Sequence, residues 1–331
     1  MTVQAANLAC GCFGDKRPEG TRQRGIIPDK PIWPDPSGNL IRSAKLPDTF
    51  TRQQALAAGL KPRDLRAANI KLVMRGVYTI APDPDDGWVR AQAALLKAGK
   101  DAVICGVTAL RLMGVDLPFG LAFDTRIHLW LPKTSPRPRA RGVRTWRGRR
   151  LGPNIIVNGV PMAHPGECWL QLGSELSVED LVIIADALTR RQHPVTKLSV
   201  LASMIPQNWP GGHRCTQAIG LAREGTDSVM ETVIRLMLVR AGLPCPEVNV
   251  KVIMPDGSYY FFDMSYQELK TAIEFNGANH VGDRAKMERD EYRRRRLQGL
   301  GWSIVTVTMA DVTLRPSSII RSVLDAMGRS V

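Results

Sequence analysis

No stretch of this 331-residue chain approaches the run of about 20 apolar residues that a membrane-spanning helix needs, which argues against an integral membrane protein. Cysteine is sparse too. Six residues (Cys10, Cys12, Cys105, Cys168, Cys215 and Cys245) are spread over the length, without the density of a disulfide scaffold. Cys10 and Cys12 form a single C-x-C with no second pair of matching spacing, and a structural zinc needs four converging ligands. They are read as part of an unstructured arm. The first twenty residues lack the basic-then-apolar order of a secretory signal. Together these absences lead to the expectation of a cytoplasmic protein with no membrane partner. Acidic residues are also in deficit, 31 against 45 Lys and Arg, which leaves a formal net charge of +14.

What is present supports ordinary folding. At 44% hydrophobic and 23% charged, the chain can bury cores, and its length favours two or more domains over one. The positive charge makes a long-range field that recruits polyanions, with nucleic acid the commonest partner. It is also concentrated. Residues 133–150 hold eight basic residues and no acidic one: Lys133, Arg137, Arg139, Arg141, Arg144, Arg147, Arg149 and Arg150. A solvated face usually mixes both signs, so this segment is expected to contact DNA phosphates. A second basic run, Arg293-Arg294-Arg295-Arg296, lies near the C-terminus, with Arg293 counted among the DNA-binding candidates.

Periodicity divides the chain into an α+β multidomain protein. Residues 1–45, rich in Gly, Pro, Asp and Lys, are expected to be a flexible arm with at most a short docked strand. Over 46–120, Thr51–Gly59 reads as a capped helix and Lys61–Ala68 as a second, basic one. Ile70–Ile80 then reads as a hairpin around Arg75-Gly76. Helix, basic helix, hairpin is the winged-helix order; Arg63 and Arg66 would enter the major groove, with Lys71 and Arg75 on the wing. Helical segments over 88–98 and 102–113 complete this unit. Residues 121–205 read as an α+β middle domain with strands at 125–131 and 143–146 and a helix over 177–190, and 206–226 as a linker with one helical turn or more. Over 227–331 the order is αβββαβα.

Three carboxylates stand at informative places in this last unit. Asp263 ends its second strand and Glu274 lies on its third. Neighbouring strand ends can bring two carboxylates onto one hard cation, Mg²⁺ or Mn²⁺, which polarises a phosphodiester and activates a water. Glu231, on the preceding helix, is placed to help hold the metal or the water. His280 follows in a loop as a candidate acid or base. Each has a plainer reading as a turn, helix-surface or loop residue. Glu274 is the hardest to dismiss, because an unpaired carboxylate in a covered strand is costly.

The string Ala272-Ile273-Glu274-Phe275-Asn276-Gly277 with His280, then Asp290, Arg293, Leu297 and Gly301-Trp302, resembles a bacterial family of uncharacterised domains. That family is related to the very-short-patch-repair endonucleases of the PD-(D/E)xK superfamily. Ser228-x-x-Glu231 and Ala241-Gly242-Leu243-Pro244 match it as well. The resemblance covers about 227–311 and implies a restriction-endonuclease-like αβββαβ fold. It also implies metal-dependent strand cleavage, with Asp263 and Glu274 as ligands. Asn276 departs from the family's acidic residue and from the lysine common in the superfamily, with Lys270 or Lys286 as conceivable substitutes. Separately, Thr51–Tyr78, above all Arg75-Gly76-Val77-Tyr78, resembles the winged-helix domain of AbiEi-type antitoxins, transcriptional repressors of abortive-infection loci. Two functions are therefore expected. One is a Mg²⁺-dependent DNA endonuclease in bacterial or phage defence or repair. The other is an antitoxin-like regulator with a degenerate nuclease fold and a protein partner on its front domains.

Overall fold

The computed structural model describes residues 32–34, 40–42, 46–148, 152, 154–277 and 284–328, with backbone alone at 32–34, 40–42 and 284–287. Within the arm, β1 (Ile32–Pro34) and β2 (Leu40–Arg42) pair antiparallel. The first compact unit opens with β3 (Thr49–Thr51) and α1 (Arg52–Ala57). Thr51 starts the helix through a reciprocal capping box: the Gln54 N–H donates to Thr51 Oγ1 and the Thr51 N–H to Gln54 Oε1. Gly59, at φ +92°, ends that segment. β4 (Lys71–Met74) and β5 (Val77–Thr79) form the expected hairpin, with Gly76 at φ +79° in the turn, and β3 adds a third strand.

The expected basic helix over Lys61–Ala68 is not there. A single 3₁₀ turn, Asp64–Arg66, replaces it. Asp64 turns its carboxylate back onto the Lys61 N–H, and Ala67 is already extended at ψ 146°, so no second turn follows. Leu65 anchors the turn in a small core with Phe50, Ala55 and Ile70.

The central sheet has the order β8-β7-β6-β10-β9, from β6 (Val103–Ile104), β7 (Ile127–Trp130), β8 (Val143–Trp146), β9 (Ile155–Val157) and β10 (Val160–Met162). Helices α2 (Gly87–Ala98), α3 (Gly106–Leu112), α4 (Phe119–Ala122), α5 (Pro165–Leu172), α6 (Val178–Leu188), α7 (Leu198–Ser203) and α8 (Gly212–Leu221) accompany it. Residues of α2 and α3 share one core with this sheet, so the expected boundary at residue 120 falls inside a packed unit. The segment 206–226, expected as a linker with a helical turn or more, is instead part of this core. It contains α8, whose Cys215 and Ala218 are fully buried. Gly211 lies so close to Gly173 that a Cβ on it would be 2.1 Å from the Gly173 carbonyl carbon, so glycine is required there.

The last unit follows the expected order. After α9 (Val229–Arg240) come β11 (Glu247–Ile253), β12 (Tyr259–Tyr266), β13 (Thr271–Asn276), α10 (Arg284–Gly299) and β14 (Ser303–Thr308). A short α11 (Met309–Leu314) precedes α12 (Pro316–Ala326). The sheet runs β11-β12-β13-β14, antiparallel except for the β13–β14 pair, which is parallel across the α10 crossover. Ile234 and Leu238 of α9 and Ile319 and Val323 of α12 pack on Met264 and Ile273. Leu297 of α10 and Trp302 pack with Phe262 and Ala272 in a second cluster. Among the described residues, no helix is long and apolar enough to cross a membrane.

A fully buried ion pair joins the central and last units. Arg235 of α9 donates to Asp186 of α6 at 2.6 Å, and both side chains are 1% exposed. The same carboxylate accepts from Thr232 Oγ1 (2.8 Å) and the Arg223 N–H (2.8 Å), while Arg235 also donates to the Leu221 carbonyl (2.6 Å). Breaking such a pair from one side strands a buried charge, at about 3–5 kcal/mol. Asp186→Ala or Arg235→Leu should each lower unfolding stability by about that much, whereas the double substitution should cost well under the sum. Urea unfolding of the three variants checks this, and additive losses would show that the pair is not coupled.

Candidate active site

The antiparallel register Met264↔Ile273 and Ser265↔Ala272, continued by one residue, sets Asp263 opposite Glu274 on neighbouring strands. The Asp263 carboxylate accepts the Phe275 N–H at 2.8 Å, one residue beyond Glu274. On the other side of β12, the pairs Val248↔Met264 and Val250↔Phe262 bracket Asn249 and Asp263. Here the pleat changes: Phe262 and Met264 are two residues apart, yet they pack into different clusters. Asn249 takes up the change at φ +48°, a conformation that asparagine tolerates better than most residues. Its amide donates to the Gly225 carbonyl and reaches Glu231 Oε2 at 3.5 Å.

Glu231 is buried at the start of α9. Ser228 caps the helix by accepting the Glu231 N–H at 3.2 Å, and the Glu231 carboxylate accepts the Asp227 N–H at 2.9 Å. The plain reading of Glu231 as a helix-surface residue does not hold, because the side chain is buried and closes the helix start. Burial, together with the negative charges of Asp263 and Asp227, nevertheless pushes its pKa up to about 7. Burial also raises Asp263 and Glu274, and each feels another carboxylate: Asp227 acts on Asp263, and Asp263 on Glu274. Four acids therefore share one electrostatic neighbourhood.

Two arginines offset them. Arg293 of α10, expected to contact phosphate, turns inward instead: it pairs with Glu274 and donates to the Phe261 carbonyl at 2.9 Å. It lies on this acid because an unpaired carboxylate there would be costly. Arg191, just past α6, donates to Asp227 at 2.9 Å through Nε and stacks over the Phe261 ring at 4.6 Å. Sequence reasoning missed Asp227, Asn249 and Arg191. Asp227, directly before the Ser228 cap, had a local signal; the other two are brought in by tertiary packing alone.

Among the described residues, no group of three His, Cys, Asp or Glu side chains converges as a ready metal cage. A hard divalent ion asks for less, one or two carboxylates with its own waters, and the donors here are all oxygen. Asp263 and Glu274 fit that requirement once Arg293 yields Glu274. Asn276 is exposed at the end of β13. Lys270 is no substitute ligand or acid: its ammonium donates to the Leu300 carbonyl at 2.8 Å. His280, Arg149, Arg150 and the side chain of Lys286 lie outside the described residues.

The basic segment divides. Arg144 pairs with Glu175 and stacks over Trp146 at 4.7 Å, while Arg147 donates to the Lys133 and Ser135 carbonyls. Both hold contacts within the chain here, and Arg144 finds its counter-charge in Glu175, 31 residues away in sequence. Arg137, Arg139 and Arg141 are exposed, as are Arg63, Arg66 and Arg75. Lys71 donates to the Pro82 carbonyl. Arg294, Arg295 and Arg296 are engaged with Thr306, Glu291 and Asp256, so the second basic run is largely spoken for.

The raised acid sets a pH dependence. With its folded pKa near 7 against an ordinary value of 4.5, Glu231 keeps its proton to higher pH in the native state than in the unfolded chain. The native state then binds more protons between those values, so stability falls as pH rises through that window. Glu231→Gln keeps the hydrogen-bonding oxygen without the charge. Its stability relative to wild type should rise between pH 4.5 and 7, by on the order of 3 kcal/mol. Urea unfolding across that range checks it; parallel curves for the two proteins would contradict it.

No family model matches this chain. Two uncharacterized proteins from two strains of Mycobacterium tuberculosis are each 26% identical to it over 250 residues, spanning 75% of this chain and 88% of the relative. A Mycobacterium tuberculosis protein of known crystal structure superposes with a TM-score of 0.38 at 18% identity, covering 63% of this chain and 85% of the other, too slight a likeness to carry an argument.

Proposed function

We propose that the chain is a DNA-binding protein whose last unit is a Mg²⁺- or Mn²⁺-dependent endonuclease. The observation that carries this reading is the juxtaposition of Asp263 and Glu274 on neighbouring strands beside buried Glu231, with each acid raised by burial and a neighbouring charge. When bound, the metal would place positive charge on a phosphoryl oxygen and lower the pKa of a water. Asp263, held by the Phe275 N–H, and Glu274 would be its protein ligands. Glu231, near neutrality in its titration, is suited to accept the proton of the attacking water. Arg293, released from Glu274, would carry its charge to the scissile phosphate.

In the same reading the first unit is a winged helix in which a 3₁₀ turn and a hairpin take the place of a long recognition helix. Arg63, Arg66 and Arg75 would meet phosphate there, and Arg137, Arg139 and Arg141 would extend the contact. A second reading, an antitoxin-like regulator that binds DNA without cutting, is favoured by the Glu274–Arg293 pair and by Asn276, which supplies no charge.

Two experiments test the proposal. Purified wild type should nick or linearise plasmid in Mg²⁺ or Mn²⁺. Glu274→Gln should abolish this with DNA affinity largely kept, and Asn276→Asp should raise cleavage by adding a carboxylate for a hard ion. No cutting by wild type in either metal, with DNA still bound, selects the regulator. Neutralising Arg137, Arg139 and Arg141 to Gln should weaken binding alike across sequences and flatten the log–log salt dependence by roughly one unit for each phosphate no longer neutralised. An unchanged slope would make this segment a solvated loop.

A further inference from the structure

Along β12, Tyr259 and Phe261 stand edge to face, with ring centroids 5.7 Å apart. Tyr259 is 55% exposed, large for an aromatic residue with no role in a core. Each ring carries its own cation. Lys251, on β11, places its ammonium 4.1 Å from the centre of the Tyr259 ring, and Arg191 lies 4.6 Å from that of Phe261. The strip does not end there. Arg191 is bonded to Asp227, whose charge acts on Asp263 and Glu231, so rings and cations lead into the carboxylates.

The geometry points to this strip, Lys251–Tyr259–Phe261–Arg191, as the track on which unpaired nucleotides of the DNA strand lie as they approach Asp263 and Glu274. The inference rests on the reading of those carboxylates as a strand-cutting site and adds the form of substrate and the residues that grip it. Aromatic faces stack on any base, and neighbouring Lys or Arg groups track the phosphates. Residues two apart on a strand are about 6.6 Å apart, close to the reach of one extended nucleotide. A solvated hairpin would need no ring at Tyr259, and a protein partner of apolar chemistry would not favour cations on both rings of a chain with net charge +14. Arg191 is supplied by the central unit, so the substrate grip would span two units that the buried Asp186–Arg235 pair holds together.

The test measures fluorescence anisotropy of a labelled oligothymidylate and of a duplex of equal length. Full-length protein carrying Glu274→Gln is used in EDTA, so that nothing is cut. Tyr259→Ala, Phe261→Leu (which keeps an apolar body but no ring) and Arg191→Gln are added singly. Loss of each stacked base should weaken single-strand binding roughly 5- to 150-fold, with duplex affinity within about twofold. Unchanged single-strand affinity in both ring variants overturns the inference, and so does an equal loss on the duplex, which would mark a general charge effect. Because binding is read without cleavage, the two claims separate. Ring-dependent single-strand binding by a wild type that never cuts keeps the track and removes the nuclease. Cleavage by wild type with ring variants that bind normally does the reverse.

Discussion

The buried contact between Asp186 and Arg235 is the constraint on which the rest of this structure depends. It joins α6 of the central unit to α9 of the last one, and its hydrogen bonds extend to Thr232, Arg223 and the Leu221 carbonyl. Arg235 lies one helical turn beyond Glu231, so the contact that fixes the rotation of α9 also fixes where Glu231 lies. It likewise fixes the end of α6, from which Arg191 reaches Asp227 and Phe261. An ion pair this deep contributes little net stability compared with a well-packed apolar alternative. What it supplies here is registry: one docking of the two units brings the two charges together and gives Asp186 donors from Thr232 and Arg223.

In the site, unfavourable charge is held in place by its surroundings. Glu231, Asp263 and Glu274 are brought together where burial opposes ionisation, with Asp227 beside them, while Arg293 pairs with Glu274 and Arg191 with Asp227. Asn249, in a left-handed conformation at the point where β11 and β12 change their pleat, is a backbone irregularity beside the same acids. Irregular backbone beside a charged cluster is characteristic of sites built for something other than stability.

Much of the last unit is legible in the chain because its signals are local. Ser228 and Gly242 bound α9, Pro255-Asp256-Gly257 turns the hairpin, and the apolar runs of β13 and β14 need no partner to be seen. The central unit is harder. Asn158-Gly159, with φ values of +49° and +73°, is a strong hairpin turn between Ile155–Val157 and Val160–Met162. Pro161 argues against a strand there and hides the hairpin. The full length of α8 is masked in the sequence by the Pro and Gly before it, of which Gly211 serves a close approach to Gly173. The second helix of the first unit fails because one side chain, Asp64, caps the turn and the chain leaves it at Ala67. In the site, carboxylates are readable by type and spacing, but which arginine meets which acid is a matter of tertiary contact. Arg293 and Arg144 each meet an acid far away in sequence rather than solvent.

In the proposed reading, Asp263 and Glu274 would hold a divalent cation beside Glu231, whose pKa is pushed up to about 7. Calorimetric titration of Mn²⁺ into the full-length protein at pH 7, in two buffers of different ionisation enthalpy, tests it most directly. One site per chain is expected, lost in Asp263→Asn, with a buffer-dependent heat in wild type as Glu231, whose pKa burial pushes up to about 7, gives up its proton beside the bound cation. Binding that survives Asp263→Asn, or no binding at all, would contradict it.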